Sequence, residues 1–442
     1  LQELPRCLPQ GEEIIPIKFG FVRLIFMTSF AISAYMHPLW SAVHAAATAS
    51  PQISGPPSRS ALLDAAATRG RYLADAGNCV SCHTQPGAVP FTGGVRFETP
   101  IGTLYSSNIT PDPATGIGAW KAVDLRRAMR EGIAAGGYRL FPAFPYTSFT
   151  KMTDADIDAI YAYLHTLKAV RYTPPGSSFV FAQRWAMAPW NALFFAEARF
   201  SPDAAQSAEW NRGAYLVQGV GHCSACHTPR NLFMAEIAGK AYAGGLLQDQ
   251  VTQSKIRRWS AVNLTTAKNG LGAWSVDDLA KYLRTGFSAR GGTFGPMNEV
   301  IVNSLKKLTA EDVRAMAVYL KSLPGQGYRG DGVTPQQAGA GETIYKDRCE
   351  KCHSASGRGG MFSGPPLAGS AVVQAEDPAS LVNIIIYGPE TPKEVAFGAW
   401  ETMQPYAAVL DDSQVAAVSN YVRGSWGNRA AAVKAADVAQ QR

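Results

Sequence analysis

Cysteine is scarce in this sequence: seven are spread over 442 residues, too few to staple a disulfide-rich fold. Basic residues never form a run interleaved with aromatics. The 41 Lys and Arg against 34 Asp and Glu leave a net charge of +7. That is no footprint for nucleic acid, and a mildly basic surface better suits an acidic partner or anionic lipid. No apolar stretch reaches the roughly 20 residues that a membrane-spanning helix needs. A Gly-x-Gly-x-x-Gly before a plausible helix is missing, which removes a dinucleotide site. No Ser, His and Asp group into a readable triad either. The chain therefore shows no substrate site of its own.

The few cysteines are where the chemistry lies. Six of the seven fall in three copies of one pattern: Cys79-Val80-Ser81-Cys82-His83, Cys223-Ser224-Ala225-Cys226-His227 and Cys349-Glu350-Lys351-Cys352-His353. Cys-x-x-Cys-His is the attachment signature of c-type haem. Two thiols three positions apart on one helical turn can each bond a vinyl group of the same porphyrin. The His that follows then gives the iron an imidazole nitrogen. A zinc site or disulfides is the competing reading, but three copies, each with its His, point to three covalently bound haem c groups. Cys79, Cys82, Cys223, Cys226, Cys349 and Cys352 would hold the porphyrins, and His83, His227 and His353 the irons.

Residues 1–50 are expected to be an export signal. Lys18 and Arg23 flank a short apolar run from Leu24 to Met36, and small residues follow through Ala47. An uncleaved anchor is the alternative. Cleavage would remove Cys7, His37 and His44 and leave no cysteine outside a haem motif. Residues 48–66, rich in Ala, Pro and Ser, read as a linker.

The expected fold is mainly α, with three small cytochrome c-like haem domains in tandem: residues 60–170, 201–325 and 341–425. Residues 171–200 form an aromatic connector, 326–340 a linker, and 426–442 a polar tail. Internal repeats support the division. Gly70-Arg71-Tyr72-Leu73 returns as Gly213-Ala214-Tyr215-Leu216. Asn108-Ile109-Thr110 returns as Asn263-Leu264-Thr265, and Gly118-Ala119-Trp120 as Gly272-Ala273-Trp274. Closing helices are expected from the caps Thr153, Thr309 and Asp411. The third unit shares Gly341 but lacks the Asn-x-Thr segment.

In small cytochromes c a methionine thioether lies opposite the His, on a loop before the closing helix. Met403, eight residues before Asp411, and Met297, twelve before Thr309, fit. The corresponding place in the first unit is Phe144, nine before Thr153, and phenylalanine cannot ligate iron. Met152 is the nearest sulfur and the candidate there, with Met129 and His165 as alternatives. Failing these, the first iron is five-coordinate or water-bound. His222 is expected to be a surface or partner contact. Trp120, Trp185, Trp190 and Trp274 are candidates for edges between haems. The connector, Phe179 to Phe195, carries Arg184 and Pro189 and has three open readings: an internal strap, a partner face, or an in-plane membrane contact.

Together these motifs, with Phe141-Pro142-Ala143-Phe144-Pro145-Tyr146-Thr147, resemble the tri-haem cytochrome c subunit of periplasmic membrane-bound dehydrogenases of the acetic acid bacteria type. The resemblance covers about residues 60–425. It implies an electron-transfer subunit rather than the substrate-oxidising one. Such a subunit accepts electrons from a catalytic dehydrogenase subunit and passes them to ubiquinone, from the periplasmic side of the inner membrane and in peripheral contact with it. Partners in the family are quinoprotein alcohol dehydrogenases, flavoprotein sugar dehydrogenases, and molybdenum aldehyde dehydrogenases or N-heterocycle hydroxylases with an iron–sulfur small subunit. The alcohol and sugar branches carry Met where this chain has Phe144, so the resemblance favours the molybdenum aldehyde dehydrogenase branch. Other classes are a stand-alone periplasmic carrier and a haem enzyme using an open first iron.

Overall fold

Glycine at three helix crossings sets the architecture. The structure, a computed structural model, describes residues 58–442 except 100–101, 179–183, 253–254, 329, 361–362 and 396–399. The expected export signal and Cys7 lie outside the described residues. In the first repeat, α1 (Arg59–Ala76) leads to α2 (Cys79–His83), the hairpin β1 (Arg96–Thr99) and β2 (Gly102–Tyr105), then α3 (Ala122–Glu131), α4 (Tyr146–Phe149) and α5 (Asp154–Leu164). The connector holds α6 (Met187–Phe194). Next come α7 (Ala208–Tyr215), α8 (Ser224–His227), the hairpin β3 (Gly245–Thr252) and β4 (Lys255–Ala261), α9 (Val276–Thr285), α10 (Met297–Asn303) and α11 (Ala310–Ser322). The last stretch has α12 (Pro335–Arg348), α13 (Glu350–His353), α14 (Ala379–Tyr387), α15 (Asp412–Gly424) and α16 (Ala435–Ala439). The chain is mainly α, as its sequence implies.

The helix before each motif crosses the closing helix of the same repeat: α1 on α5, α7 on α11, α12 on α15. A Cβ on Gly70, Gly213 or Gly341 would run into the carbonyl of Ala159, Ala315 or Ala417 respectively. Only a residue without a side chain lets the two backbones approach that closely. Thr153, Thr309 and Asp411 cap the closing helices, accepting from the amides of Asp156, Asp312 and Gln414 at 3.2, 3.2 and 2.9 Å. Ten positions separate Gly213 from Cys223 where nine separate Gly70 from Cys79. The extra residue is absorbed by a π-helical turn, Leu216–Val220, in which Gly221 N donates to Leu216 O at 2.7 Å.

The first two repeats meet in a reciprocal seam and share one apolar core. Asp156 accepts from Arg69 at 2.7 Å within its own repeat and from Tyr215 across the seam at 2.5 Å. Asp312 mirrors this, with Arg212 at 2.8 and 2.6 Å and Tyr72 from across the seam at 2.5 Å. Equivalent residues exchange equivalent bonds, which is the mark of an isologous contact.

The third helix pair has its own core and docks on the second repeat through the lengthened hairpin. Ser260 and Ser380 exchange hydrogen bonds of 2.9 and 3.2 Å. Asn383 donates to Arg258 O at 2.7 Å, and Arg258 pairs with Asp377 at 2.6 Å. This hairpin was not expected from the sequence. Three boundaries also differ from expectation. Helix α1 begins inside the stretch read as a linker, and α12 takes up the end of the second linker. The tail is no free polar segment: Ala430, Val433 and Val438 are buried at 0, 4 and 0% exposure. Its short apolar residues are spaced to fill the groove beside α15, where Asn420 brackets Val433 with bonds of 2.9 and 2.7 Å.

Candidate haem-binding sites

The three motif histidines share one local arrangement. His83 Nδ1 bonds Ser107 O at 2.7 Å, His227 Nδ1 bonds Val262 O at 2.7 Å, and His353 Nδ1 bonds Pro365 O at 2.9 Å. A backbone carbonyl only accepts, so each Nδ1 carries the proton and each Nε2 keeps a lone pair for a metal. Burial pushes all three imidazole pKa values down, toward the neutral ligand form.

The repeated Asn-x-Thr segment explains how the accepting carbonyls are held. Ser107 and Val262 each immediately precede its Asn. Asn108 Oδ1 accepts from Thr110 N and Oγ1 at 2.9 and 2.8 Å, while its amide donates to Val170 O at 2.8 Å. Asn263 does the same with Thr265 at 2.8 and 2.7 Å and with Gln326 O at 2.7 Å. Both asparagines are almost fully buried. In the third repeat the work falls to Asn428 of the tail. It donates to Leu367 O at 3.0 Å and accepts from Gly369 N at 2.8 Å, fixing the turn that presents Pro365.

None of the six motif cysteines is paired. Among the described residues no three His, Cys, Asp or Glu side chains converge on one point. Cys82 and Cys226 are exposed. Burial pushes the Cys79 and Cys223 thiols up to about 12, and that of Cys349 to about 11. Two free thiols on a turn, followed by a His whose Nε2 is left for iron, form the donor set of a c-type haem, and the residues present fit that group.

Met297 opens α10 and Met403 lies against the third core; both are half-buried and keep surface for a further contact. Met152 has none, being 0% exposed and packed beside Gly219 across the seam. Its counterpart before the second cap, Leu308, is likewise a core residue. Met129 is buried on α3. His165 caps α5, with Nδ1 on Tyr161 O at 3.1 Å and its ring 4.0 Å from that of Tyr161. Phe144 packs on Phe149 at 5.4 Å.

His222 differs from expectation: it lies in the seam, not on the surface. Its Nε2 bonds Gly77 O at 3.1 Å and its ring meets Phe149 edge-on at 5.4 Å. These contacts hold the residue at φ 39°, matching Asn78 at φ 48° before the first motif. Trp120 and Trp274 pack on the core, whereas Trp185 is 71% exposed. The connector is a strap on one side and a bare face on the other. Asn191 accepts from Tyr146 at 2.7 Å and Arg199 donates to Thr150 O at 2.8 Å. Trp190 donates to Phe233 O at 2.9 Å, and Phe194 stacks on Phe233. Leu193, Leu232 and Phe233 are left 75, 100 and 66% exposed. No described helix is long and apolar enough to cross a membrane.

Comparison with known proteins finds cytochromes c. The family model for cytochrome c matches residues 67–168, and that for cytochrome c oxidase, cbb3-type, subunit III matches residues 336–422. The chain is 41% identical over 416 residues to a nicotinate dehydrogenase subunit of Pseudomonas putida, covering 92% of this chain and 33% of the relative. It thus spans a third of that protein's length. It is 39% identical to the gluconate 2-dehydrogenase cytochrome c subunit of Pantoea cypripedii, covering 86% of this chain and 90% of the relative. To the cytochrome c subunit of the quinone alcohol dehydrogenase of Gluconacetobacter polyoxogenes it is 40% identical, covering 85 and 83%.

Proposed function

The chain belongs to the family of cytochrome c subunits of dehydrogenase complexes, and we propose that it is a three-haem relay between a catalytic subunit and membrane ubiquinone. The observation that carries this reading is the threefold recurrence of one site: a Cys-x-x-Cys-His turn whose His Nδ1 is held on a backbone carbonyl. Bound haem c supplies a one-electron ferric/ferrous couple and takes no proton from the protein. The chain's own residues do the rest. His83, His227 and His353 would present Nε2, the six cysteines would hold the rings, and Met297 and Met403 would offer a soft thioether to the second and third irons. At the first site Met152 is a packing residue, and among the described residues His83 would be the ligand there.

The favoured catalytic partner is a molybdenum enzyme oxidising aldehydes or N-heterocycles, with an iron–sulfur small subunit. Phe144 at the place of the thioether supports that branch, and nicotinate, named in one relative, is an N-heterocycle. An alcohol or sugar dehydrogenase is the second reading, favoured by the gluconate and alcohol relatives. The face of Trp185, Leu193, Leu232 and Phe233 suits in-plane contact with a bilayer at the periplasmic side of the inner membrane. Purification from mild-detergent extracts by an affinity tag tests the assignment. The co-purified large subunit should reduce the haems of this chain when given its own substrate, and an aldehyde or N-heterocycle should serve. Reduction by an alcohol or sugar alone selects the second reading. A chain that purifies alone and is reduced by none contradicts both.

A further inference from the structure

One seven-residue helix touches all three candidate sites. α10 begins at Met297, the thioether of the second site. The next residue, Asn298, is 6% exposed and donates to Glu390 O at 3.0 Å and Pro389 O at 3.3 Å. Those carbonyls belong to the third repeat, beside Gly388, where a Cβ would sit 3.0 Å from the carbonyl of Met403. The loops bearing the two thioethers are thus bridged by one asparagine. At the far end of α10, Asn303 donates to Ser81 Oγ at 2.9 Å, inside the first motif. Ser304 donates to Ala76 O at 3.2 Å and Lys307 pairs with Asp75 at 2.9 Å, clasping the helix that leads into that motif.

The geometry of a helix explains why one element can serve three neighbours. Asn298 and Asn303 are five residues apart, which separates them by roughly 7.5 Å along the axis and roughly 140° around it. They therefore bind on different sides at a fixed spacing. Ile301 between them is fully buried, and a Cβ on Gly286 would lie 2.9 Å from Val395 and 3.3 Å from Ile301, so the helix has no room to shift. We infer that α10 is the positioning element of the relay: Asn303 sets the first centre against the second, Asn298 sets the second against the third, and the second stands between the other two. This rests on the three-haem reading above.

The test uses the full haem-loaded chain and follows electron redistribution after brief partial photoreduction, together with the methionine methyl resonances of the reduced protein. Asn303→Ala should slow exchange between the first centre and the others roughly tenfold and leave the Met403 methyl resonance in place. Ser81→Ala, which removes the same bond from the other side, should reproduce it. Asn298→Ala should slow exchange between the second and third centres instead and move both the Met297 and Met403 methyl resonances. Asn298→Gln and Asn303→Gln, which keep an amide donor, should stay within about twofold of the parent. The inference is overturned if the two alanine variants affect the same exchange, if neither affects any, or if Asn298→Ala leaves Met403 unmoved. A wrong haem count or missing thioether methyls in the parent would instead sink the underlying reading.

Discussion

At the scale of single residues, the unexpected players are those that hold a ligand rather than act as one. Asn263 bonds Thr265 and Gln326 O rather than His227 itself, yet it fixes the carbonyl that receives the imidazole. Replacing it with Ala should loosen that bond and reduce the imidazole's donation to the metal. The ferric state then loses more than the ferrous, and the reduction potential of the second centre should rise by roughly 60 mV, a tenfold change for one electron. A redox titration of the loaded protein checks this; a fall would reverse the argument. Gly213→Ala should cost about 3 kcal/mol or more, read as a lower Tm, because a methyl has no place against the carbonyl of Ala315. The motif cysteines and histidines are legible in sequence because their spacing is the chemistry. Met152 and His222 are not. Their roles depend on the seam they pack in, and no local pattern encodes which neighbour a buried side chain meets.

At the scale of elements, the two Tyr–Asp–Arg groups latch the first repeat to the second. Burial pushes the Asp312 carboxyl up, but hydrogen bonds from Arg212 and Tyr72 and the charge of Arg212 outweigh it and hold the pKa below the ordinary value. A depressed carboxyl contributes stability above its unfolded pKa, near 4, and loses it as pH falls through the folded value. The Tm of the parent should therefore drop more steeply below about pH 4 than that of Asp312→Asn. Tyr72→Phe and Tyr215→Phe should each cost about 2 kcal/mol in denaturant titrations, since the first leaves the part-buried Asp312 and the second the buried Asp156 short of a donor. A loss below the scatter of such titrations would mean the latch is ornamental. Helices and caps were readable here because Gly-x-Tyr-Leu, Asn-x-Thr and the Thr caps are local signals. The β3–β4 hairpin was not, because its length answers to α14 rather than to its own turn. Residues 232–234 escaped notice for the same reason: only the fold brings them beside α6.

Taken as a whole, the described chain is one body in which the second repeat is central, joined to the first by the reciprocal seam and to the third by the long hairpin. Its exposed aromatic face includes residues only a few positions beyond His227. Trp185→Ser combined with Leu193→Ser and Phe233→Ser should weaken co-sedimentation with anionic vesicles by at least about tenfold, given about 1.5–3 kcal/mol for burying each such side chain. Unchanged sedimentation would move the face to a partner protein. The central claim is that three equivalent turns each carry one covalent haem. The most direct test is the pyridine haemochrome content of denatured, quantified protein. Three haem c per chain is the predicted result, and two or fewer would contradict the relay.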